Sequence, residues 1–367
     1  MYSVAKTMEQ NQMTLDHLGW QPFFDTAFKP YAGEFQVGRI AVQQTRVYEL
    51  WTEAGVISAE MSGNLRKSAE IDSTLRPVVG DWVVIQLRLA ERFAVIHHVL
   101  PRRTKFSRKV TEEVTREQVI AANIDIAFLV SGLDQDFNLR RLERYLLTAQ
   151  HSGAEPVIVL NKVDLCAESD ARLSEVRAIA PSVPIITMSA MHKQGIELMN
   201  FYLGQGKTGC LLGSSGVGKS TIINALLDDD VQSTRTTRKD MDRGRHTTTH
   251  RELFVLPGGG LLMDTPGMRE LQLWTDESSL SGTFEDIETL AAACRFRDCR
   301  HESEPDCAVQ AALADGSLDA ARYKSYLKLR REIRYLELRQ DNSAARLEKM
   351  RWKKIHAQHK KNNRSKN

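Results

Sequence analysis

The stretch GSSGVGKST at 213–221 has the spacing G-x-x-x-x-G-K-[ST]. Gly213 and Gly218 let the chain curl so that backbone N–H groups point inward around phosphates. Lys219 then reaches the β and γ oxygens, and the Ser220 hydroxyl ligates Mg²⁺. Ser214, Ser215, Gly216, Val217 and Thr221 complete the cradle. An apolar strand text precedes the loop and a helical text, STIINALL, follows it, as this motif requires. The loop by itself indicates a nucleoside triphosphate and does not say which.

A base reader stands upstream, in NKVDL at 161–165. Asp164 can accept hydrogen bonds from the N1–H and N2–H₂ edge of guanine. Adenine lacks that donor pair and would leave the carboxylate unpaired, a mismatch that discriminates strongly. Asn161 can address the N7/O6 side, and the Lys162 stem can cover the ring. MSA at 188–190 supplies Ser189 and Ala190 to back the base. Downstream, LLMDTPG places Asp264 at a strand end, where it can hold Mg²⁺ through water, and Gly267, whose N–H can meet the γ-phosphate. Met268 follows, in a region where Ras-like enzymes use a glutamine to orient water; methionine cannot do this. Intrinsic hydrolysis is therefore expected to be slow unless another group helps.

The text between these elements, STRTTRKDMDRGRHTTTHREL, is polar, basic and threonine-rich, as a switch loop would be. One of Thr247, Thr248 and Thr249 is expected on Mg²⁺, with Thr248 the middle choice. His246 is a candidate for positioning the attacking water; the alternative is a histidine on a solvated loop.

Along the chain the order is base reader, base backing, phosphate loop, switch, DTPG. An ordinary GTPase runs phosphate loop, switch, DTPG, base reader, base backing. One cut and one join interconvert the two orders, so the sequence reads as a circularly permuted GTPase.

Five cysteines occur, an odd number in a long chain, which argues against a disulfide framework. Cys294, Cys299, His301 and Cys307 form C-x4-C-x-H-x5-C. Three thiolates and an imidazole suit a closed tetrahedral zinc site of structural type.

The elements that must position these residues are legible in outline. IDIAFLV, EPVIVL, VPIITMSA, GCLLG and GGLLMD are apolar runs of buried parallel strands, alternating with helical text such as NLRRLERYLLTAQHSG, which ends at Gly153. This is a doubly wound α/β domain, assigned to 105–283. Residues 36–104 carry short β-rich runs between polar turns, including VVGDWVVI, and predict a small all-β barrel or sheet. Residues 1–35 read as a loose N-terminal extension. Residues 284–367 read as mainly helical, with Tyr323, Tyr326, Leu327, Ile333 and Leu336 on one face of a helix that Ser317 would cap, then a basic tail.

Hydrophobic content of 42% and charged content of 26% are those of a soluble globular protein. There is no run of about 18 apolar residues and no secretory leader pattern, so a cytoplasmic protein without a membrane partner is expected.

These motifs together resemble the ribosome small-subunit-dependent GTPase A family of bacteria. The resemblance covers a β-barrel before PRRTKFSR, the permuted set NKVDL, GSSGVGKST, GRHTTT and DTPGMREL, and the cysteine–histidine module. It implies an oligonucleotide-binding-type (OB) barrel and GTP hydrolysis to GDP stimulated by the small ribosomal subunit. It also implies a role in late maturation of that subunit, with one structural zinc per chain. Three basic runs, PRRTKFSRK, the switch loop and the tail, could meet rRNA phosphates through charge, although each run alone suits a solvated face. A monomer is expected. The alternative is an RNA- or ribosome-binding module in which GTP is mainly a structural or switch ligand, a reading that Met268 favours.

Overall fold

A computed structural model of the chain describes residues 14–111, 115–227, 251–264, 280, 282–302 and 304–335. The chain divides into one unit of residues 1–108 and 118–272 and another of 109–117 and 273–367.

The first unit begins with structure where the sequence suggested a loose extension. Residues 22–28 form helix α1 (Pro22–Phe28), started by a proline whose missing N–H costs nothing at a helix N-terminus. Leu18 and Phe24 are fully buried, and the Trp20 ring meets the Trp82 ring edge-on at 4.7 Å. Scattered aromatics in polar text are what hold this segment down, by burial rather than by periodicity.

Five strands follow: β1 (Gln36–Gln43), β2 (Tyr48–Thr52), β3 (Gly55–Met61), β4 (Trp82–Arg88) and β5 (Phe93–Val99). β1 pairs with β2 and β4, β2 with β3, β4 with β5, and β3 runs parallel to β5, so the ring closes. Helix α2 (Gly63–Ile71), capped by the Ser62 side chain on the Leu65 N–H, follows β3. The VVGDW turn enters β4 through Gly80 at φ +89°, where any Cβ would collide with the Ala122 carbonyl.

PRRTKFSRK is not a free basic run. Its Arg102 makes a bidentate pair with the buried Asp81 at 2.7 Å on both oxygens and also donates to the carbonyls of Thr74 and Arg76. Arg103 pairs with Asp125 at 3.0 Å. The remainder enters a hairpin of β6 (Lys105–Thr111) and β7 (Thr115–Ala122).

The α/β part contains β8 (Ile126–Gly132), helix α3 (Leu139–Ser152), β9 (Glu155–Asn161), helix α4 (Ser169–Ile179) and β10 (Ile185–Thr187). Helix α5 (Ile196–Tyr202), β11 (Thr208–Leu212), helix α6 (Lys219–Leu226), β12 (Arg251–Val255) and β13 (Leu261–Asp264) follow. The sheet order is β10-β9-β8-β11-β13-β12, parallel except for β12. α3 is capped at both ends, by Asn138 on the Arg141 N–H and by Gly153 in the left-handed region. β12 also pairs antiparallel with β1, Val42 opposite Glu252, so barrel and α/β strands form one eleven-stranded sheet. Near that seam the buried Arg39 of β1 donates to the Leu18 carbonyl, to the Asn123 carbonyl at 3.1 Å and to Thr208 Oγ1 at 2.8 Å. Burial lowers its pKa to about 10.

In the second unit, helices α7 (Glu285–Ala292) and α8 (Ala308–Asp315) precede helical residues 320–335. Tyr323, Tyr326, Leu329 and Ile333 form the buried face of the last helix. Leu327 is only partly buried, and Leu336 lies outside the described residues. The cap is Asp319, whose carboxylate accepts the Arg322 N–H at 2.6 Å. Ser317 lies too early; its hydroxyl donates instead to the Ala312 carbonyl. No helix among the described residues is long and apolar enough to cross a membrane.

Candidate nucleotide site and metal cluster

β8 and β11 are neighbours, yet the chain leaves β8 toward β9 and β10 and returns to start β11 on the other side. That reversal opens a crevice at the carboxyl ends of the strands, where open α/β sheets bind ligands. Asn161 closes β9, the loop 213–218 follows β11, and Asp264 closes β13. Cys210 pairs with Met263, which sets Asp264 one step further, level with the end of β11. The nucleotide-site residues predicted from sequence therefore share this end of the sheet, apart from His246, Thr248 and Gly267, which lie outside the described residues along with Met268 and the basic tail.

Asn161 is 2% exposed. Its amide donates to the Val217 carbonyl at 2.9 Å and accepts the Ala190 N–H at 3.0 Å. It thus ties together the 213–221 loop, the end of NKVD and the SA segment. Gly218, at φ +97°, has no room for a Cβ, because Asn161 Nδ2 stands 2.3 Å from that position. Lys162 also adopts the left-handed region and sends its ammonium to the Gly216 carbonyl at 2.7 Å and to Asp134 at 2.6 Å.

Asp164 is exposed. Ser189 is wholly buried and its backbone pairs with Gln194; its hydroxyl makes no hydrogen bond of good geometry, yet lies close enough to hold the Asp164 carboxyl below the usual range, with His192 at 3.8 Å adding to this. Asp164 is thus held as a carboxylate, the form that can accept from two donors. Lys219 sits on the carbonyls of Gly213, at 2.7 Å, and Ser214. Ser215, Gly216 and Ser220 are exposed at the mouth, and Ser220 and Thr221 lie in the first turn of α6.

The loop after β8 carries none of the nucleotide motifs. Asp134 meets Lys162, while Asp136 and Arg141 meet Ser214. A signal existed: GLDQDFNLRR is charged text directly after a buried parallel strand, which is where crevice residues stand.

In the second unit the ligand atoms of Cys294, Cys299, His301 and Cys307 all lie within 4.8 Å of one another. Cys307 caps α8, accepting the Gln310 N–H. Burial works to raise the Cys294 thiol, but the Val309 and Ala308 N–H groups, with the Cys307 and Cys299 thiols, bring it below the ordinary range, while burial, with the Cys307 and Cys294 thiols, pushes Cys299 up to about 11. Burial, then the Arg330 guanidinium, lowers His301, favouring the neutral ring that metals take. The four residues could hold one metal ion. Cys210 belongs to the core, where burial raises its thiol.

Comparison with known proteins agrees with this geometry. The family described as RsgA GTPase matches residues 99–274. A protein of Opitutus terrae, described as small ribosomal subunit biogenesis GTPase RsgA, is 50% identical over 354 residues, 94% of this chain and 96% of its own. The chain belongs to the RsgA family. A second RsgA protein, from Oceanobacillus iheyensis, is 45% identical and aligns over 90% of this chain and 95% of its own. Among solved structures, YjeQ of Thermotoga maritima superposes with a TM-score of 0.60 at 28% identity, covering 82% of this chain and 98% of YjeQ. YloQ, described as a circularly permuted GTPase, gives 0.57 at 27%, with 82% of this chain and 96% of YloQ covered. As an RsgA GTPase the chain is a GTP hydrolase with a permuted α/β domain and a closed five-stranded barrel.

Proposed function

We propose that this chain hydrolyses GTP to GDP on the small ribosomal subunit, is stimulated by that subunit, and acts in its late maturation in the cytoplasm. The observation that carries the reading is the convergence of NKVD, SA and phosphate loop on one crevice, held together by Asn161. The RsgA relatives supply the partner, since they are named for small ribosomal subunit biogenesis.

In this reading Asp164 reads guanine, Asn161 addresses its N7/O6 side with its second amide hydrogen, Ser189 and Ala190 back it, and Lys162 covers it. The N–H groups of 213–221 wrap the phosphates, and Lys219 leaves its two carbonyls for the β and γ oxygens. Ser220 and Asp264 would hold Mg²⁺, which supplies charge neutralisation at the transferring phosphate. Thr248, His246 and Gly267 take the switch roles assigned from sequence. The barrel is of the OB type, basic segments such as the switch loop and the tail meet rRNA, the domains are 1–35, 36–104, 105–283 and 284–367, and the protein acts as a monomer.

For the second metal we propose zinc. Bonds of about 2.3 Å to sulfur and about 2.0 Å to nitrogen in a tetrahedron put sulfurs about 3.8 Å apart, and sulfur and nitrogen about 3.5 Å apart. Cys294 and Cys307 Sγ are 3.8 Å apart, and His301 Nδ1 lies 3.5 and 3.4 Å from them.

The deciding experiment is GTP hydrolysis alone, with purified small subunits, and with large subunits or ATP as controls. Strong GTP-specific acceleration by small subunits alone is expected. Tight GTP binding without acceleration would overturn the enzyme's dependence on the subunit and favour a GTP-switched binding module.

A further inference from the structure

Arg141 belongs to none of the nucleotide motifs, yet it reaches the phosphate loop. It stands in the first turn of α3, its N–H fixed by the Asn138 side chain at 3.1 Å. Its Nη1 donates to Asp136 Oδ2 at 2.6 Å and to Ser214 Oγ at 2.7 Å. The same Ser214 hydroxyl donates to Asp136 Oδ2 at 2.7 Å. The three groups close a triangle, so the Ser214 hydroxyl uses both its acceptor and its donor and its rotamer is set.

Ser214 is the second residue of the loop, and its carbonyl is held by Lys219. Gly216 and Val217 carbonyls are held by Lys162 and Asn161. When Lys219 moves onto phosphates, the grip on the Ser214 carbonyl is lost, whereas the grips on Gly216 and Val217 are not. Arg141 and Asp136 then keep the first half of the loop in shape. Charge follows the same logic. Asp134 and Asp136 would oppose a polyphosphate, and each has its own cation, Lys162 and Arg141.

We propose that Arg141, acting with Asp136, is a positioning residue of the phosphate loop, which preorganises Ser214 so that the loop keeps its cradle once Lys219 has left for the nucleotide. The inference rests on the GTP-binding reading above. A residue that only anchors α3 would affect folding and leave nucleotide affinity uncoupled from Ser214.

The test is a double-mutant cycle on the full chain, reading affinity for a fluorescent GTP analogue beside thermal unfolding. Arg141→Met is expected to weaken binding about tenfold at an unchanged melting temperature, the scale of one lost charge-assisted hydrogen bond. Ser214→Ala is expected to weaken it less, and the double variant to be no worse than Arg141→Met. Arg141→Lys should restore part of the loss. Should Arg141→Met fold poorly, Arg141→Gln takes its place, and its penalty must shrink in the Ser214→Ala background. Penalties that multiply, or unchanged affinity in Arg141→Met, overturn the proposal while leaving the GTP site intact. A folded wild-type chain that binds no GTP overturns both.

Discussion

Within NKVDL, Asn161 is buried with both ends of its amide bonded, while Asp164 stands exposed. Asn161 braces the loops around it, and Asp164 is the residue we propose reads the base. The bracing role could not be read from the motif, because its partners Val217 and Ala190 are 56 and 29 residues away in sequence. The role proposed for Asp164 needs no distant partner, since its chemistry is local to the guanine edge. Asp164→Asn tests this directly. Its amide can accept N1–H but donates toward C2, which suits the carbonyl of xanthine and opposes the amino group of guanine. Competition binding should show GTP weakened by at least about tenfold and xanthosine triphosphate gained. A variant that still prefers GTP would remove Asp164 from base recognition.

At the scale of elements, the alternation of apolar strands and helices is clear in sequence because burial on both sheet faces leaves continuous apolar runs. Strands β8, β9, β11 and β13 fall within a residue or two of their texts. The hairpin β6–β7 is hidden, since PRRTKFSRK reads as solvated charge. Its arginines are explained only by partners far along the chain: Arg102 by Asp81, 21 residues back, and Arg103 by Asp125, 22 residues on. The Arg102 pair ties the turn before β4 to the segment after β5. Asp81 has a fully buried side chain and Arg102 one that is 10% exposed. Arg102→Met would strand the carboxylate, and a cost of about 3–5 kcal/mol is expected, read by urea unfolding. A loss below about 1 kcal/mol would mean that the arginine is free to serve RNA after all.

On the scale of the whole molecule, the permuted order and the cysteine–histidine spacing are legible because both are read along the chain. Closure of the barrel is not, because it depends on β1 meeting β4 and on the parallel pairing of β3 with β5. The metal cluster offers a test confined to the second unit. One zinc per chain is expected by elemental analysis. Cys299→Ser should lose the metal together with helicity, because structural zinc binding is folding free energy. Full helicity retained without metal would make the cluster dispensable.

The pairing of β1 with β12 bears on how this protein can be dissected. Gln43 and Val42 cover Arg251 and Glu252 at the border of the α/β strands. A fragment cut at residue 105 would bare that border as a row of unsatisfied amides, and bare amide rows recruit other chains. Trimming away the barrel would thus yield a self-associating fragment, and its insolubility would report the missing neighbour, with no bearing on the GTP site.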